Sequence, residues 1–110
     1  PEWCCETVAR LVEEGAIAVK GNHDSAACGG EEGMTSLAGR AMDWTRGRLS
    51  EAHRSFLAGL PMTARDGDAL YVHASASHPE AWSYVTSDTR ATPSFRAVTA
   101  RLIFCGHTHV

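Results

Sequence analysis

The sequence lacks the features that mark several common classes of protein. Its four cysteines, Cys4, Cys5, Cys28 and Cys105, include no C-x-x-C pair. This distribution argues against a zinc finger and a disulfide framework, and it favours free thiols in a reducing cytoplasm. No apolar stretch approaches the length of a membrane span, and the N-terminal residues do not predict a signal peptide. We therefore expect a cytoplasmic protein with no membrane partner.

Basic residues are few and scattered. Lysine and arginine total 10 against 13 aspartates and glutamates, which gives a formal net charge of −3. Without a basic run, the backbone of a nucleic acid is not the expected partner. The chain has 110 residues, of which 44% are hydrophobic and 21% charged. Length and composition predict a globular protein with one domain over residues 1–110.

Both ends of the chain suggest that this domain is partial. Pro1-Glu2 stands directly before a helical pattern, and the capping residue that should precede a helix is not there. The other end lies one residue after His109. We interpret the chain as part of a longer domain whose N-terminal strands lie outside it.

Hydrophobic spacing predicts mainly helices in the first half. Val8, Leu11 and Val12 keep helical spacing, and Gly15 suits the position just after a helix end. The apolar residues 16–19 predict a strand, and the small and acidic residues 25–34 predict a mobile loop. Two helices are predicted over residues 35–60, with Ser50 as the cap of the second helix.

The second half predicts a hairpin, two short helices and a final strand. Residues 62–65 and 69–72 form the predicted hairpin, with Asp66-Gly67 at its turn. One predicted helix begins at Pro79, and the other begins at Pro93 after a Thr92 cap. The last strand is predicted over residues 101–105.

Three apolar runs end in polar motifs. The runs and motifs are "AIAVKGNHD" with Asn22, His23 and Asp24, "ALYVHAS" with His73, and "RLIFCGHTHV" with His107 and His109. In open α/β sheets, ligands bind beyond the carboxyl ends of the strands. We therefore expect these six side chains to lie together in one cleft.

Several imidazoles in one cleft favour a metal site. Histidine and oxygen ligands without thiolates suit zinc, manganese, iron or nickel. On an extended strand, His107 and His109 would share a face about 7 Å apart. That separation suits two ions a few ångströms apart better than a single ion. Gly106 would permit a sharp turn at the end of the strand.

The order of the three motifs resembles that of the calcineurin-like metallophosphoesterases. "GNHD", the histidine of "VHAS" and "GHTH" follow one another as in that superfamily. The helix before "VKGNHD" is similar to the bacterial branch with diadenosine-tetraphosphatase-like and protein-phosphatase-like members. The resemblance implies an α/β fold, a four-layer αββα sandwich of which this chain is part.

The resemblance also implies a role for each motif residue. Asn22, His73 and His107 would bind one divalent ion, and His109 would bind the other. His23 would hold the substrate phosphate and protonate the leaving oxygen, and Asp24 would accept a hydrogen bond from His23. The implied reaction is the hydrolysis of a phosphomonoester or phosphodiester bond by a hydroxide between the two metal ions. The substrate would be a small phosphate ester or a phosphoprotein.

The chain departs from the family in one respect. The D-x-H and G-D-x-x-D motifs, which open the family pattern and supply further metal ligands, are not in this sequence. We therefore expect these 110 residues alone to be inactive.

Other roles for these residues compete with catalysis. His73 alone would be an ordinary half-buried polar residue, Asn22 a turn former and Asp24 a helix cap. His53 is expected on the solvated surface, and His78 is a weaker candidate for a substrate contact. The expected core residues are Trp44, Phe56, Trp82, Phe95, Val98 and Cys105.

Two other functions compete with a binuclear phosphoesterase. The first is a catalytically inactive metallophosphoesterase-like scaffold that binds a protein partner. The presence of His23 and Asp24 counts against the scaffold, since it has no need of a proton donor. The second is a mononuclear metal hydrolase on another fold, which predicts one bound ion.

Overall fold

The computed structural model describes residues 2–29 and 36–109. Its elements in chain order are α1 (Glu2–Glu13), α2 (Asn22–Ala27), α3 (Ser36–Arg48), α4 (Glu51–Gly59), β1 (Thr63–Asp66), β2 (Ala69–Val72), a 3₁₀ helix (Pro79–Ala81), α5 (Asp88–Ala97) and β3 (Leu102–Phe104). The fold is therefore α/β, as predicted. No helix in the described ranges is long and apolar enough to cross a membrane.

The chain divides into two compact units. The first comprises residues 1–18 and 22–60, and the second comprises residues 19–21 and 61–110. The interpretation of residues 1–110 as one partial domain stays a prediction.

The first unit is built from helices around a small apolar core. Its buried members are Cys5, Ala26, Ala27, Met42, Leu49 and Leu57, with Phe56 and Leu60 packed against them. The Arg46 Nε–H donates to the Ala26 carbonyl over 2.8 Å, and the Arg54 guanidinium donates to the Arg46 carbonyl over 3.2 Å. These two bonds link α2, α3 and α4, so the core is closed by polar contacts as well as by apolar burial.

Helix α1 ends where the sequence predicts. Gly15 has a φ of +98°, a conformation that a side chain disfavours. Its N–H donates to the Val12 carbonyl over 3.0 Å, and the Ala16 N–H donates to the Leu11 carbonyl over 2.8 Å. This pair of bonds is the Schellman motif, which satisfies the last carbonyls of a helix.

Helix α4 begins with a reciprocal cap. The Ser50 hydroxyl accepts the His53 N–H over 3.2 Å, and His53 Nδ1 accepts the Ser50 N–H over 3.4 Å. Ser50 is thus confirmed as the cap. The prediction of a solvated His53 is wrong, because its side chain is only 17% exposed and its Nε2 lies 3.6 Å from Glu6 Oε1.

The second unit contains a three-stranded sheet of order β1-β2-β3. Strands β1 and β2 are antiparallel, and Asp66 pairs with Ala69, so Gly67 and Asp68 form the turn one residue later than predicted. Strands β2 and β3 are parallel, with Tyr71 opposite Phe104. The hairpin and the last strand are therefore confirmed.

The two faces of this sheet differ in burial. On one face Leu70, Val72 and Ala76 are buried, and Val98, Ala100 and Ile103 pack against them. The opposite face carries Tyr71 stacked on Phe104, with ring centroids 5.2 Å apart. Phe104 is 51% exposed and Leu102 is 50% exposed. The packed face holds the sheet against the residues around α5.

Two predictions for the first half are wrong. Residues 16–19 do not form a strand. A strand requires ladder hydrogen bonds to a neighbouring strand, and the composition of these four residues does not specify such a partner. Residues 25–27 belong to helix α2 rather than to a mobile loop. Ala26 and Ala27 are buried there, and this burial stabilises the helix. Residues 30–34 of the predicted loop lie outside the described residues.

Two helices of the second half differ from prediction. The helix at Pro79 is a single 3₁₀ turn, followed by Trp82 with a φ of +51°. Helix α5 begins after Ser87, whose hydroxyl accepts the Arg90 N–H, so Thr92 is not the cap. Pro93 lies inside α5 rather than at its first position. At the first position of a helix the N–H makes no helical bond, so proline would have been tolerated there without loss.

Three expected core residues are exposed. Trp44 is 57% exposed, Phe95 is 54% exposed and Cys105 is exposed as well. In α3 the buried face belongs to Met42, two residues before Trp44 and so on the other side of the helix. The Trp44 ring instead lies under the Arg48 guanidinium, 5.2 Å from the ring centroid. The expectation of buried packing at these positions is therefore wrong, whereas Phe56 and Val98 do pack against core residues.

Candidate active site

His73 and His107 follow two adjacent parallel strands. His73 comes directly after β2, and His107 comes three residues after the end of β3. The Gly106 N–H donates to the His73 carbonyl over 3.0 Å, which continues the pairing of the two strands past their ends. Parallel strands end at the same edge of a sheet, so both imidazoles lie at that edge.

The two imidazoles are in direct contact. His73 Nε2 lies 3.1 Å from His107 Nδ1, and the ring centroids are 4.9 Å apart. Both side chains are half-buried. At this distance the nitrogen that carries the ring proton donates a hydrogen bond to the other nitrogen. Two nitrogens bound to one zinc ion at about 2.0–2.1 Å would lie at a similar separation of about 3 Å.

His107 occupies a strained turn. Its φ is +69°, and the Thr108 N–H donates to the Gly106 carbonyl over 2.8 Å. A bond between residues two apart around a positive φ is a γ-turn of the rarer, strained type. Backbone strain of this kind is concentrated at functional sites.

This turn corrects the predicted geometry of the H-x-H motif. The motif does not continue an extended strand, since His107 and His109 both have positive φ values, +69° and +56°. The expected separation of about 7 Å assumed an extended strand and so loses its basis. Gly106 is not among the residues with positive φ, so the turn is made by the histidines rather than by the glycine.

Two aromatic side chains flank the histidine pair. The Tyr84 ring stacks on His107 at a centroid distance of 4.2 Å and an interplanar angle of 15°. The Trp82 ring meets His73 edge to face, with centroids 5.9 Å apart. Sequence reasoning placed Trp82 in the core and missed Tyr84. The available signal was the presence of two aromatic residues in the segment that follows a candidate ligand.

A buried serine cluster anchors the segment after His73. Ser75 Oγ lies 2.9 Å from Ser77 Oγ and 3.1 Å from Ser94 Oγ. The Ser94 hydroxyl also accepts the Ala76 N–H over 3.0 Å. Ser75 and Ser94 are each 4% exposed. These bonds tie the segment to α5 and so hold the chain that leaves His73.

Asn22, His23 and Asp24 lie in the first unit, in the first turn of α2. Asn22 and Asp24 are half-buried, and His23 is exposed. Burial raises the pKa of the nearby Cys5 thiol, and the Asp24 carboxylate raises it further. Successive residues of a helix point about 100° apart, so a contact between His23 and Asp24 stays a prediction. The convergence of this turn with His73 and His107 also stays a prediction.

The described residues bring two imidazole nitrogens together but do not form a complete metal site. Within residues 2–29 and 36–109, no group of three or more histidine, cysteine, aspartate or glutamate side chains is placed to hold a metal ion. His109 is exposed. The four cysteines are free thiols, as predicted. The donor set that the structure brings together is thus the pair His73 and His107.

The chain is similar in fold and sequence to a metallophosphoesterase. The crystal structure of a metallophosphoesterase from Sphaerobacter thermophilus matches with a TM-score of 0.80 and 38% sequence identity. The match covers 97% of this chain and 43% of that chain. The α/β fold described above is therefore part of a metallophosphoesterase fold.

A curated relative also matches along the chain. The uncharacterized protein MJ0912 from Methanocaldococcus jannaschii is 28% identical over 116 residues, which cover 100% of this chain and 45% of the relative. No family model matches the chain. The chain thus spans less than half the length of both similar proteins.

Proposed function

We propose that this chain contributes to the active site of a metal-dependent phosphoesterase that hydrolyses phosphomonoester or phosphodiester bonds. The observation that carries the proposal is the contact between His73 Nε2 and His107 Nδ1 at 3.1 Å, beyond the ends of two parallel strands. The similarity to a metallophosphoesterase at 38% identity supports the same chemistry. That similarity to a known fold also counts against a mononuclear hydrolase of another architecture.

The proposed ligands follow the motif order in the sequence. Asn22, His73 and His107 would hold one divalent ion, and His109 would be a ligand of a second divalent ion. Both ions would be manganese, iron, zinc or nickel. The distance of 3.1 Å between His73 Nε2 and His107 Nδ1 fits two ligands on one ion. Divalent ions at this site would act as Lewis acids on the phosphoryl oxygens.

The residues of α2 would supply the proton that the leaving oxygen takes up. Hydrolysis would transfer the hydroxyl group of a water molecule to phosphorus and break the bond between phosphorus and the ester oxygen, while the remaining proton of the water goes to solvent. The leaving oxygen would take a proton from the His23 ring, which regains one from solvent, so the products are an alcohol and a phosphate or, from a diester, a phosphomonoester. Asp24 would orient the His23 ring, and the exposure of His23 leaves it accessible to a substrate. A small phosphate ester or a phosphoprotein is the proposed substrate.

Manganese binding tests whether His73 and His107 hold a metal ion. Titrating the chain with Mn²⁺ alone, followed by electron paramagnetic resonance, should reveal one ion bound through His73 and His107, because the D-x-H and G-D-x-x-D motifs that supply further metal ligands are not in this sequence. His73→Ala and His107→Ala should each abolish that binding. His78→Ala is the matched control, because His78 is exposed and belongs to the same unit. Equal binding by the two ligand variants and by wild type would contradict the proposed site.

Activity separates the proposal from an inactive scaffold that binds a protein partner. A protein that joins this chain to the D-x-H and G-D-x-x-D motifs should hydrolyse p-nitrophenyl phosphate or bis(p-nitrophenyl) phosphate when Mn²⁺ is supplied, and chelation should stop the reaction. Binding of Mn²⁺ without hydrolysis of either compound, or of a phosphopeptide, would favour the scaffold.

A further inference from the structure

Tyr84 covers one face of a candidate ligand. Its ring lies nearly parallel to that of His107, with an interplanar angle of 15° and a centroid distance of 4.2 Å. Such a stack leaves the ring nitrogens of His107 accessible, because their lone pairs lie in the plane of the ring. Nδ1 of His107 therefore still faces His73 Nε2 at 3.1 Å.

The backbone alone does not fix the His107 ring. His107 lies at the centre of a γ-turn with a φ of +69°, outside any strand or helix. A side chain on such a turn retains its rotamer freedom unless another group packs against it. Among residues 2–29 and 36–109, the His107 ring contacts the rings of Tyr84 and His73. Aromatic stacking stabilises a pair of rings beyond the burial of their area, so it favours the rotamer of His107 that makes the stack.

Tyr84 itself is positioned by a constrained segment. Two residues before it, Trp82 has a φ of +51° and meets His73 edge to face. The same segment begins at the buried Ser75, which is bonded to Ser94 of α5. One segment thus contacts both imidazoles, Trp82 on His73 and Tyr84 on His107.

We infer that Tyr84 is a positioning residue that holds the His107 imidazole in the orientation needed to bind a metal ion together with His73. This inference rests on the proposed function, since it assigns Tyr84 to the same site. Tyr84 is 56% exposed, so a purely structural stack of this kind would contribute little to the core. Groups that orient metal ligands typically change metal affinity by 10–100-fold when they are removed.

The test measures Mn²⁺ affinity in Tyr84 variants. Tyr84→Ala should weaken Mn²⁺ binding by about tenfold or more. Tyr84→Phe should restore wild-type affinity, because the ring stacks on His107 without its hydroxyl. Tyr71→Ala is the matched control, because it removes another stacked tyrosine of the same unit that lies on Phe104 rather than on a histidine. It should leave Mn²⁺ affinity unchanged even where it lowers the melting temperature.

Each outcome has one meaning. Wild-type affinity in Tyr84→Ala, with loss of binding in His107→Ala, would overturn the role of Tyr84 and leave the proposed function standing. Absence of Mn²⁺ binding in wild type would overturn the proposed function itself. If Tyr84→Ala fails to fold, nuclear Overhauser contacts between the Tyr84 and His107 rings in the wild-type chain provide the second test. Their absence would overturn the inference.

Discussion

The Gly106 N–H donates to the His73 carbonyl over 3.0 Å, and this bond sets the spacing between two candidate metal ligands. It follows the register in which Tyr71 lies opposite Phe104, so His73 and Gly106 occupy the next bonded position of the parallel pair. His107 then turns back toward His73. The spacing of the two imidazoles thus depends on a backbone hydrogen bond. A substitution at Gly106 can remove that bond without changing either histidine side chain.

Gly106→Pro should separate the two histidines, because proline has no N–H to donate to His73. We expect a loss of about 1–3 kcal/mol in the free energy of unfolding and the disappearance of Overhauser contacts between the His73 and His107 rings. Gly106→Ala is the control. An added Cβ would meet the His73 carbonyl oxygen at 3.9 Å, an ordinary contact, so the ring contacts should persist. Persistence of the ring contacts in Gly106→Pro would show that the bond does not set the spacing.

The sequence predicts which residues follow β2 and β3 better than it predicts the geometry of those residues. The motif "GHTH" identifies His107 as a candidate ligand, and the apolar runs identify β2 and β3, because both signals are local. The γ-turn at His107 is closed by the bond between the Thr108 N–H and the Gly106 carbonyl, and the His107 ring stacks on Tyr84. Neither contact leaves a periodic pattern in the sequence. The motif therefore indicates that His107 is a candidate ligand, and the tertiary contacts determine the orientation of its ring.

The same division holds for the fold. Gly15 and Ser50 are predicted correctly, because helix caps are encoded in single residues. Residues 16–19 look like a strand by composition, but strand formation depends on a partner that local sequence does not specify. Ser87 and Thr92 are both suitable caps for α5. The choice of Ser87 puts Pro93 inside the helix, contrary to its usual preference for the first turn.

Gly15→Ala should destabilise the first unit by about 1 kcal/mol, because alanine disfavours the φ of +98° that ends α1. Gly39→Ala is the opposite case. Gly39 lies inside α3, and nothing lies within 4 Å of an added Cβ. Alanine there should raise the free energy of unfolding by roughly 0.5–1 kcal/mol through its higher helix propensity. Urea unfolding of both variants checks the signs, and equal effects would contradict the Schellman assignment.

The Cys5 thiol should make stability fall at alkaline pH. Burial, assisted by Asp24, raises its pKa above the ordinary 9.0, so the folded state holds the thiol proton more tightly than the unfolded state does. The stabilisation is therefore fully present below pH 9 and is lost as the pH rises through the raised pKa. The difference in unfolding free energy between wild type and Cys5→Ala should shrink over that range. A difference that grows or stays constant with pH would contradict the direction of the shift.

His23→Ala should separate proton transfer from metal binding in a protein that joins this chain to the D-x-H and G-D-x-x-D motifs. As the proposed general acid, His23 should contribute roughly a hundredfold or more to turnover, while metal content stays nearly unchanged. The loss should shrink with p-nitrophenyl phosphate, whose leaving group needs little protonation. Loss of metal in step with activity would instead make His23 a ligand.

The most direct test of the central claim is paramagnetic broadening of the histidine ring resonances by Mn²⁺. At substoichiometric Mn²⁺, the ring signals of His73 and His107 should broaden first and together, because their facing nitrogens lie only 3.1 Å apart. The rings of His53 and His78 should stay sharp at the same concentration. If His53 or His78 broadens first, or if His73 and His107 stay sharp at saturating Mn²⁺, the histidine pair is not a metal site.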